Sequence, residues 1–288
     1  MLYFQYFLTH LKSQMQYKTS FFLTAAGQFV TSFSTFLMTY FLMRRFHTVD
    51  GFAMEEVLIS YAAVLMAFSI AECFFRGFDR FSGMLANGEF DRILLRPRGL
   101  IVQVLCAKIE FSRMGRFLQA LITFVVILPR CGIEWTPGRA AVLLWMIVGG
   151  TALFAGLFMV GAALCFFTTE GLEVINIFTD GGKEFGVYPL SVYGPVILRF
   201  YTFVVPLAMC QYYPLLWLTG RSANPWFAAA PICGFFFWIP AYLLWRVGVR
   251  HYVSTGSGGR NRDHAREAMV QRMRRSSDSF AHKRIFGS

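Results

Sequence analysis

The residues that could do chemistry in this chain are few and scattered. The string nearest to a phosphate-binding loop is TDGGKEF, from Thr179 to Phe185, but Lys183 is followed by an acid and no predicted strand precedes it. A nucleotide-binding loop needs Gly-x-x-x-x-Gly-Lys-[Ser/Thr] after a strand. The chain also has no His-Glu-x-x-His metal motif and no Gly-x-Ser-x-Gly nucleophile motif. The sequence therefore predicts a chain without Walker motifs that is not an enzyme.

Metal and thiol chemistry are not predicted either. The histidines fall in predicted loops, helix ends or the C-terminal tail: His10, His47, His251, His264 and His282. The cysteines form no Cys-x-x-Cys pair and lie mostly in apolar runs: Cys73, Cys106, Cys131, Cys165, Cys210 and Cys233. Such cysteines are more often small buried hydrophobic side chains than metal ligands or disulfide partners. We expect no metal site and no cofactor in this chain.

The composition indicates an integral membrane protein. Of the 288 residues, 56% are hydrophobic, 18% are aromatic and only 15% are charged, whereas a soluble domain has about 25% charged residues. The net charge of +11 suggests nucleic acid as a partner at first. The basic residues cluster between and after the apolar runs, however, and no groove-reading motif accompanies them, so we expect no nucleic acid. The N-terminus lacks a basic n-region and a cleavage site, so no signal peptide is predicted.

Six apolar segments are candidates for crossing a hydrocarbon core about 30 Å thick. They are residues 21–43, 57–75, about 114–128 with Arg113 and Arg116 at the membrane edge, 140–167, 196–213 and 228–249. Residues 1–19 have apolar side chains at helical spacing, which predicts an interfacial helix; the alternative is that they are the first turns of span one. The predicted fold class is an all-α polytopic membrane protein with six transmembrane helices and an N-terminal interfacial helix.

The positions of lysine and arginine orient this arrangement. With the N-terminus inside, 22 of the 27 basic residues fall in inner segments and five in outer loops. The positive-inside rule then places both termini in the cytoplasm. Residues 253–288 form a basic cytoplasmic C-terminal tail, which we expect to be flexible, with contact to anionic lipid headgroups as the alternative. Residues 263–275 within it could form a short helix.

Two polar or small-residue patterns lie within the spans. Glu72 and Arg76 are four residues apart at the inner end of span two, the spacing of a membrane-edge ion pair. A structural role is favoured there over a role in a transport pathway. In span four, Ala152 and Gly156 form a small-x-x-x-small pair near Gly149, which favours close helix approach. That approach could be internal or could join two subunits.

The region after span four is predicted as a loop, GLEVINIFTDGGKEFG, that runs into a proline-rich segment. Prolines interrupt regular helix, and irregular backbone at membrane depth must be covered by protein or water. We predict a gate-like or re-entrant segment there. Its candidate residues are Tyr188, Pro189, Tyr193, Pro195, Pro206 and Pro214.

The densest charged stretch, GEFDRILLRP at residues 88–97, lies in the most basic inner segment. As a helix it places Phe90, Ile93 and Leu94 on one side, the charged residues around the remainder, and Pro97 at its end. Such an amphipathic helix can lie on lipid or dock onto a protein, and composition does not choose between the two.

Together these features resemble the permease subunits of bacterial ABC-2 type exporters, in the branch described as ABC-2 family transporter proteins. The resemblance covers roughly residues 1–252. It rests on the six spans, the interfacial helix, GEFDR-x-LLRP after span two, and YPLSVY-x-P followed by VVPLA. It implies an ABC-2 (type V) exporter permease fold over 1–252, located in the bacterial cytoplasmic membrane.

The resemblance also implies how energy would reach the chain. The loop between spans two and three would carry a coupling helix that docks onto a separate ATPase subunit, which binds ATP and Mg. The residues that match are Glu89, Phe90, Asp91, Arg92, Leu95, Arg96 and Pro97. Residues 179–186 would supply a second contact, and nucleotide-driven closure would tilt spans two and three.

A second permease, the same chain or a paralogue, would complete the exporter, with the substrate route lined by spans one, two and five. The many aromatic residues suit an apolar or amphipathic cargo, but they suit contact with membrane lipid equally. Two alternatives of other classes remain. One is a membrane assembly or scaffold protein that transports nothing, and the other is an integral membrane transferase.

Overall fold

A computed structural model of the chain describes residues 2–46, 48–168 and 171–252. The predicted tail, including the short helix at 263–275, lies outside these residues. The described chain is mostly α-helical. In the first half the helices are α1 Leu2–Gln16, α2 Lys18–Phe46, α3 Met54–Phe74, α4 Arg76–Asp79, α5 Phe81–Ala86, α6 Glu89–Leu94, α7 Leu100–Ala107 and α8 Met114–Ile127. In the second half they are α9 Pro137–Leu164, α10 Gly171–Phe185, α11 Pro195–Phe203, α12 Leu207–Cys210, α13 Tyr212–Leu218, α14 Pro225–Ala229, α15 Cys233–Phe236 and α16 Trp238–His251.

Three short 3-10 helices and one hairpin complete the described elements. The 3-10 helices are Phe111–Arg113, Leu190–Tyr193 and Ala230–Ile232. The strands β1 Thr48–Val49 and β2 Phe52–Ala53 pair antiparallel around Asp50 and Gly51, whose φ angles are 51° and 77°. Positive φ at both central residues is the geometry that an Asp-Gly hairpin turn favours. This hairpin was not predicted from the sequence, although an Asp-Gly pair is typical of a hairpin turn.

Four helical segments of the described chain are long and apolar enough to cross a membrane. They are Lys18–Phe46, Met54–Phe74, Pro137–Leu164 and Pro225–His251, the last being α14 to α16 in succession. A fifth candidate is the pair Pro195–Phe203 and Leu207–Leu218, which is bent by 84°. The predicted third span, α8, has 14 residues, or about 21 Å of helix. By length and composition, the described residues therefore contain four to five candidate spanning helices, and the predicted count of six stays a prediction.

Helix α3 lies at the centre of the bundle. Nearly all of its side chains from Val57 to Cys73 are buried, and it packs against α2, α8, α9 and α10. A helix that is apolar on every side is expected in such a central position, because it leaves no face for water. Helix α2 is different, since only Ser32, Thr39 and Met43 are buried along its 29 residues.

The small residues of α9 serve packing within the chain. An ideal Cβ on Gly149 would lie 2.5 Å from the carbonyl oxygen of Pro231, and one on Gly234 would overlap the carbonyl of Gly149. The indole Nε1 of Trp238 donates a hydrogen bond to the Ala152 carbonyl at 2.7 Å. The two backbones therefore approach closely because neither glycine carries a side chain. Of the two roles left open for this pattern, the described chain shows internal contact.

The segment after span four was predicted as a loop, and this prediction is wrong. Residues 171–185 form the helix α10, which packs against α9 and α3. Thr179 and Gly182 are buried, whereas Asn176, Asp180 and Glu184 are exposed at helical spacing. The prediction took the polar residues and the two adjacent glycines as loop signals. It therefore missed the amphipathic period of 3.6 residues.

Candidate functional site

The predicted coupling stretch forms a short helix at one end of the bundle. Gly88 precedes α6 with φ 68°, in the left-handed region that glycine adopts easily, and turns the chain into the helix. Phe90 is fully buried and Ile93 is nearly so. The side chain of Phe90 therefore anchors α6 on its own chain, and it is not available as the direct partner contact that was predicted.

The exposed side of this stretch carries most of the other predicted contact residues. Leu95, which follows the last residue of α6, is 85% exposed. Exposed residues on either side of it are Glu89, Arg92, Arg96 and Pro97. The structure thus places these residues on one accessible surface, with Phe90 beneath it.

Phe90 belongs to a cluster of six aromatic side chains that we call the aromatic hub. Its members are Phe78, Phe81, Phe90, Phe166, Trp245 and Tyr252. The ring centroid of Phe90 lies 5.0 Å from Tyr252, 5.2 Å from Phe81 and 5.5 Å from Phe166. Most pairs meet edge to face, an arrangement that aromatic quadrupoles favour. The hub joins α4, α5 and α6 to the C-terminal ends of α9 and α16.

Asp91, the residue after Phe90, is also bonded to the bundle. The Tyr252 hydroxyl donates a hydrogen bond to Asp91 Oδ1 at 2.9 Å. Hydrogen bonds to a carboxylate are about twice as strong as neutral ones. This contact ties α6 to the residue that follows α16. The sequence offered no signal for it, because the partners are 161 residues apart.

A basic groove runs along the exposed side of α6. It has a volume of about 310 Å³. Its lining includes the side chains of Arg92, Arg96, Arg98 and Gln103 around an apolar floor to which Ile93 contributes. Three arginines against the single carboxylate of Glu89 make this groove positively charged, so it favours an acidic ligand.

A buried ion-pair cluster lies at the C-terminal end of α3. Glu72 is only 4% exposed, and its carboxylate lies 3.2 Å from Arg76 Nη1, 3.4 Å from Arg113 Nη1 and 2.7 Å from Arg116 Nη1. Arg76 also pairs with Asp79 and Glu110. The predicted Glu72–Arg76 ion pair is therefore present, and Arg113 and Arg116 also pair with Glu72. These two arginines connect the start of α8 to the end of α3.

Two carboxylates at the edge of this cluster titrate differently. Burial raises the pKa of Asp79 above its ordinary value, although Arg76 opposes the shift. Burial would also raise the pKa of Glu110, but the nearby charges of Arg76, Arg113 and Lys108 outweigh it and lower that pKa. Opposite charges within a few ångströms favour the ionised form. Glu110 is therefore the more firmly ionised anion of the two.

The predicted proline-rich segment is interrupted as a helix. The chain leaves α10 at Phe185, passes the 3-10 turn at Leu190–Tyr193, and then bends by 84° between α11 and the following helices. Gln211, which is almost fully buried, holds this region together. Its Nε2 donates to the carbonyls of Gly186 at 2.9 Å and Tyr188 at 3.1 Å, and it also bonds the Ser60 hydroxyl.

The six predicted gate residues are spread along this interruption. Tyr188, Pro189, Tyr193 and Pro195 flank the 3-10 turn, Pro206 precedes α12, and Pro214 is buried in α13. The carbonyls that the breaks leave without helical partners find one in Gln211, a residue that sequence reasoning missed. A gating role for the six stays a prediction.

A small polar pocket lies among α2, α3, α8 and α10. Its volume is about 40 Å³, room for about one water by volume. Hydroxyl groups line one side, from Thr31, Ser32, Thr35 and Tyr61. Arg116, Lys183 and Glu184 line the other, and Lys183 lies 3.0 Å from Glu184. We call the polar side chains that line this pocket the polar wall. Because α2 is little buried, the polar wall lies at the edge of the chain.

These features define a multi-pass helical membrane protein with a short, partly exposed amphipathic helix at one end of its bundle. Comparison with families of known proteins identifies it further: the chain belongs to the ABC-2 family transporter proteins, whose family model matches residues 29–256. The suspected relationship is thereby confirmed, and the chain is a membrane permease component of the ABC transporter class. Members of this family are generally non-catalytic and typically work with an ATPase subunit. Comparisons with curated proteins and with solved structures found no match.

Proposed function

We propose that the chain is the permease subunit of an ATP-driven ABC-2 exporter and that a separate ATPase docks on α6 and the residues after it. The observation that carries this proposal is the pairing of a buried anchor with an exposed contact: Phe90 is fixed in the bundle while Leu95 points out. A helix anchored in this way would pass a movement of the ATPase on to the rest of the permease, whereas a loosely held loop would bend instead.

The basic groove supports a particular kind of docking partner. An acidic segment of the ATPase, with an apolar side chain for the groove floor, complements the three arginines in charge and shape. Leu95 would enter a pocket on the partner in return. Association is then expected to weaken as ionic strength rises, because exposed charge pairs are screened.

The substrate route is proposed along the polar wall formed by α2, α3 and α10. Asn176, Asp180 and Glu184 are exposed on α10, and polar side chains at membrane depth need water or protein beside them. A second permease, the same chain or a paralogue, covers this wall and α2. The whole domain, residues 1–252, would then be one half of the transporter, with 253–288 as a cytoplasmic tail.

The six-span arrangement is part of the same proposal. α8 and the 3-10 turn at Phe111–Arg113 together make the third crossing, with Arg113 and Arg116 reaching the membrane edge. The broken helices α11 to α13 make the fifth. Both termini then lie in the cytoplasm of a bacterial cell, on the side of the ATPase.

The test is co-purification of ATP hydrolysis with the tagged permease. We expect the wild-type chain to bring down an ABC ATPase with its activity. The double variant Leu95→Asp with Arg96→Ala should lose at least about ten-fold of it, since truncating a hot-spot anchor of an interface costs about 2 kcal/mol or more, and about 1.4 kcal/mol is a ten-fold change. Arg130→Ala, at an exposed arginine of the predicted outer loop, is the matched control and should behave like wild type. Undiminished ATPase recovery in the double variant would refute the docking site.

A further inference from the structure

The attachments of α6 lie on a different part of the bundle from the one expected. The resemblance implied that spans two and three would carry the motion of the coupling helix. Among the described residues, the rings packed on Phe90 come from α5, from the end of α9 and from α16 with its following residue. Two of them, Trp245 and Tyr252, belong to the last helix and its end.

We infer that Trp245 and Tyr252 are positioning residues for the docking helix, so that α6, the last helix and the end of α9 move as one body. This inference rests on the proposed function for its physiological meaning. It adds a route by which docking reaches the last span, in addition to the covalent connection through α4 to span two.

Two adjacent contacts fix α6 in rotation as well as in position. Phe90 inserts its ring into the hub, and the next residue, Asp91, accepts the hydrogen bond from Tyr252. Successive side chains on a helix point about 100° apart. A helix held at two such points cannot roll about its axis without breaking one contact, which makes α6 a rigid extension of the last helix.

The last helix is in turn bound to α9 over most of its length. Near the inner end, a Cβ on Gly248 would lie 2.5 Å from the Phe166 ring. Further along, Trp238 donates to Ala152, and Gly234 lies against Gly149. Packed interiors transmit displacement because they have few voids to absorb it. A push on α6 therefore reaches the opposite end of the bundle through this helix pair.

The inference is tested with distances between spin labels in the reconstituted permease–ATPase complex, without nucleotide and after vanadate trapping. Labels are introduced as genetically encoded amino acids, because native cysteines would compete. Suitable exposed sites are Ala86 on α5, Val247 on α16 and Leu118 on α8. We expect the 86–247 distance to stay constant between the two states, while the 247–118 distance changes.

Variants then separate positioning from general stability. Tyr252→Phe keeps the ring and removes the hydroxyl, so the population with α6 detached should rise about ten-fold. This would appear as a broadened 86–247 distribution in a protein that remains folded. Trp245→Leu should broaden it further. Tyr242→Phe, an exposed tyrosine on the same helix, is the matched control and should leave the distribution unchanged.

Two results would overturn the inference. One is an 86–247 distance that changes as much as the 247–118 distance on vanadate trapping. The other is an 86–247 distribution that Tyr252→Phe leaves unaltered. Failure of the proposed function is distinguishable, because then no ATPase binds the permease. The 86–247 distribution of the isolated permease, compared with its Tyr252→Phe variant, would still decide whether the hub holds α6.

Discussion

The carboxylate of Glu72 is buried and is shared by three arginine side chains. Its pairing with Arg76 was predicted because four residues separate neighbours on one helix face. The arginines at 113 and 116 were expected only at the membrane edge. Both arginines converge on Glu72 because of the path that the chain takes after α7. No local sequence pattern predicts that path. Phe90 is the reverse case: the family resemblance implied a contact with a partner, whereas its burial reflects tertiary packing that no local pattern reveals.

Removing the Glu72 carboxylate should destabilise the fold strongly. Glu72→Ala leaves Arg76, Arg113 and Arg116 with one buried anion fewer, and breaking a buried ion pair costs about 3–5 kcal/mol. Unfolding by denaturing detergent, followed by circular dichroism, measures the loss. Glu134→Ala, at an exposed residue between α8 and α9, is the control. Equal stability of the two variants would show that the cluster is not structural.

At the scale of helices, the long apolar elements followed from the sequence and the irregular ones did not. α2, α3, α9 and the last helical segment coincide with uncharged runs, since hydropathy over about 20 residues is a strong signal. α10 was predicted as a loop because its adjacent glycines, Gly181 and Gly182, and its charges resemble turn signals. Its helix is stabilised by tertiary contacts with α9 and α3, which outweigh local propensity.

The seam between α9 and the last helix should be sensitive to a single methyl group. Gly149→Ala places a Cβ 2.5 Å from the Pro231 carbonyl oxygen, and overpacking of this kind typically costs about 1–3 kcal/mol. Gly138→Ala, in the first turn of the same helix, meets its nearest side-chain atom only at 3.9 Å. Thermal unfolding in detergent should therefore separate the two variants. Indistinguishable midpoints would mean that the seam is loosely packed.

At the scale of the whole molecule, the predicted class of protein is confirmed, whereas the count of six spans and the orientation stay predictions. The basic residues that suggested the orientation include those of the groove and the ion-pair cluster. The opposite end of the bundle carries one clamp, in which Arg221 Nη2 lies 2.6 Å from Glu56 Oε2. Of the predicted crossings, the third is a short helix and the fifth is bent. The bend is possible because Gln211 donates a hydrogen bond to the Gly186 carbonyl, which a continuous helix would otherwise satisfy.

The proposed orientation can be measured by chemical access from each side of the membrane. In intact cells, an impermeant maleimide should label Glu134→Cys, and it should reach Arg80→Cys only after the cells are permeabilised. Both sites are exposed, and the wild-type chain gives the background of its native cysteines. The opposite pattern of labelling would invert the topology that the positive-inside rule predicts.

The aromatic hub also has an optical consequence. Of the six tryptophans, only Trp245 is buried, at 2% exposed, and it packs against rings of Phe78, Phe81 and Phe166. A variant that keeps this tryptophan alone would emit at the short wavelengths typical of an indole away from water. Any opening of the permease at the base of α6 would then be visible as a red shift in intrinsic fluorescence, in real time and without a label.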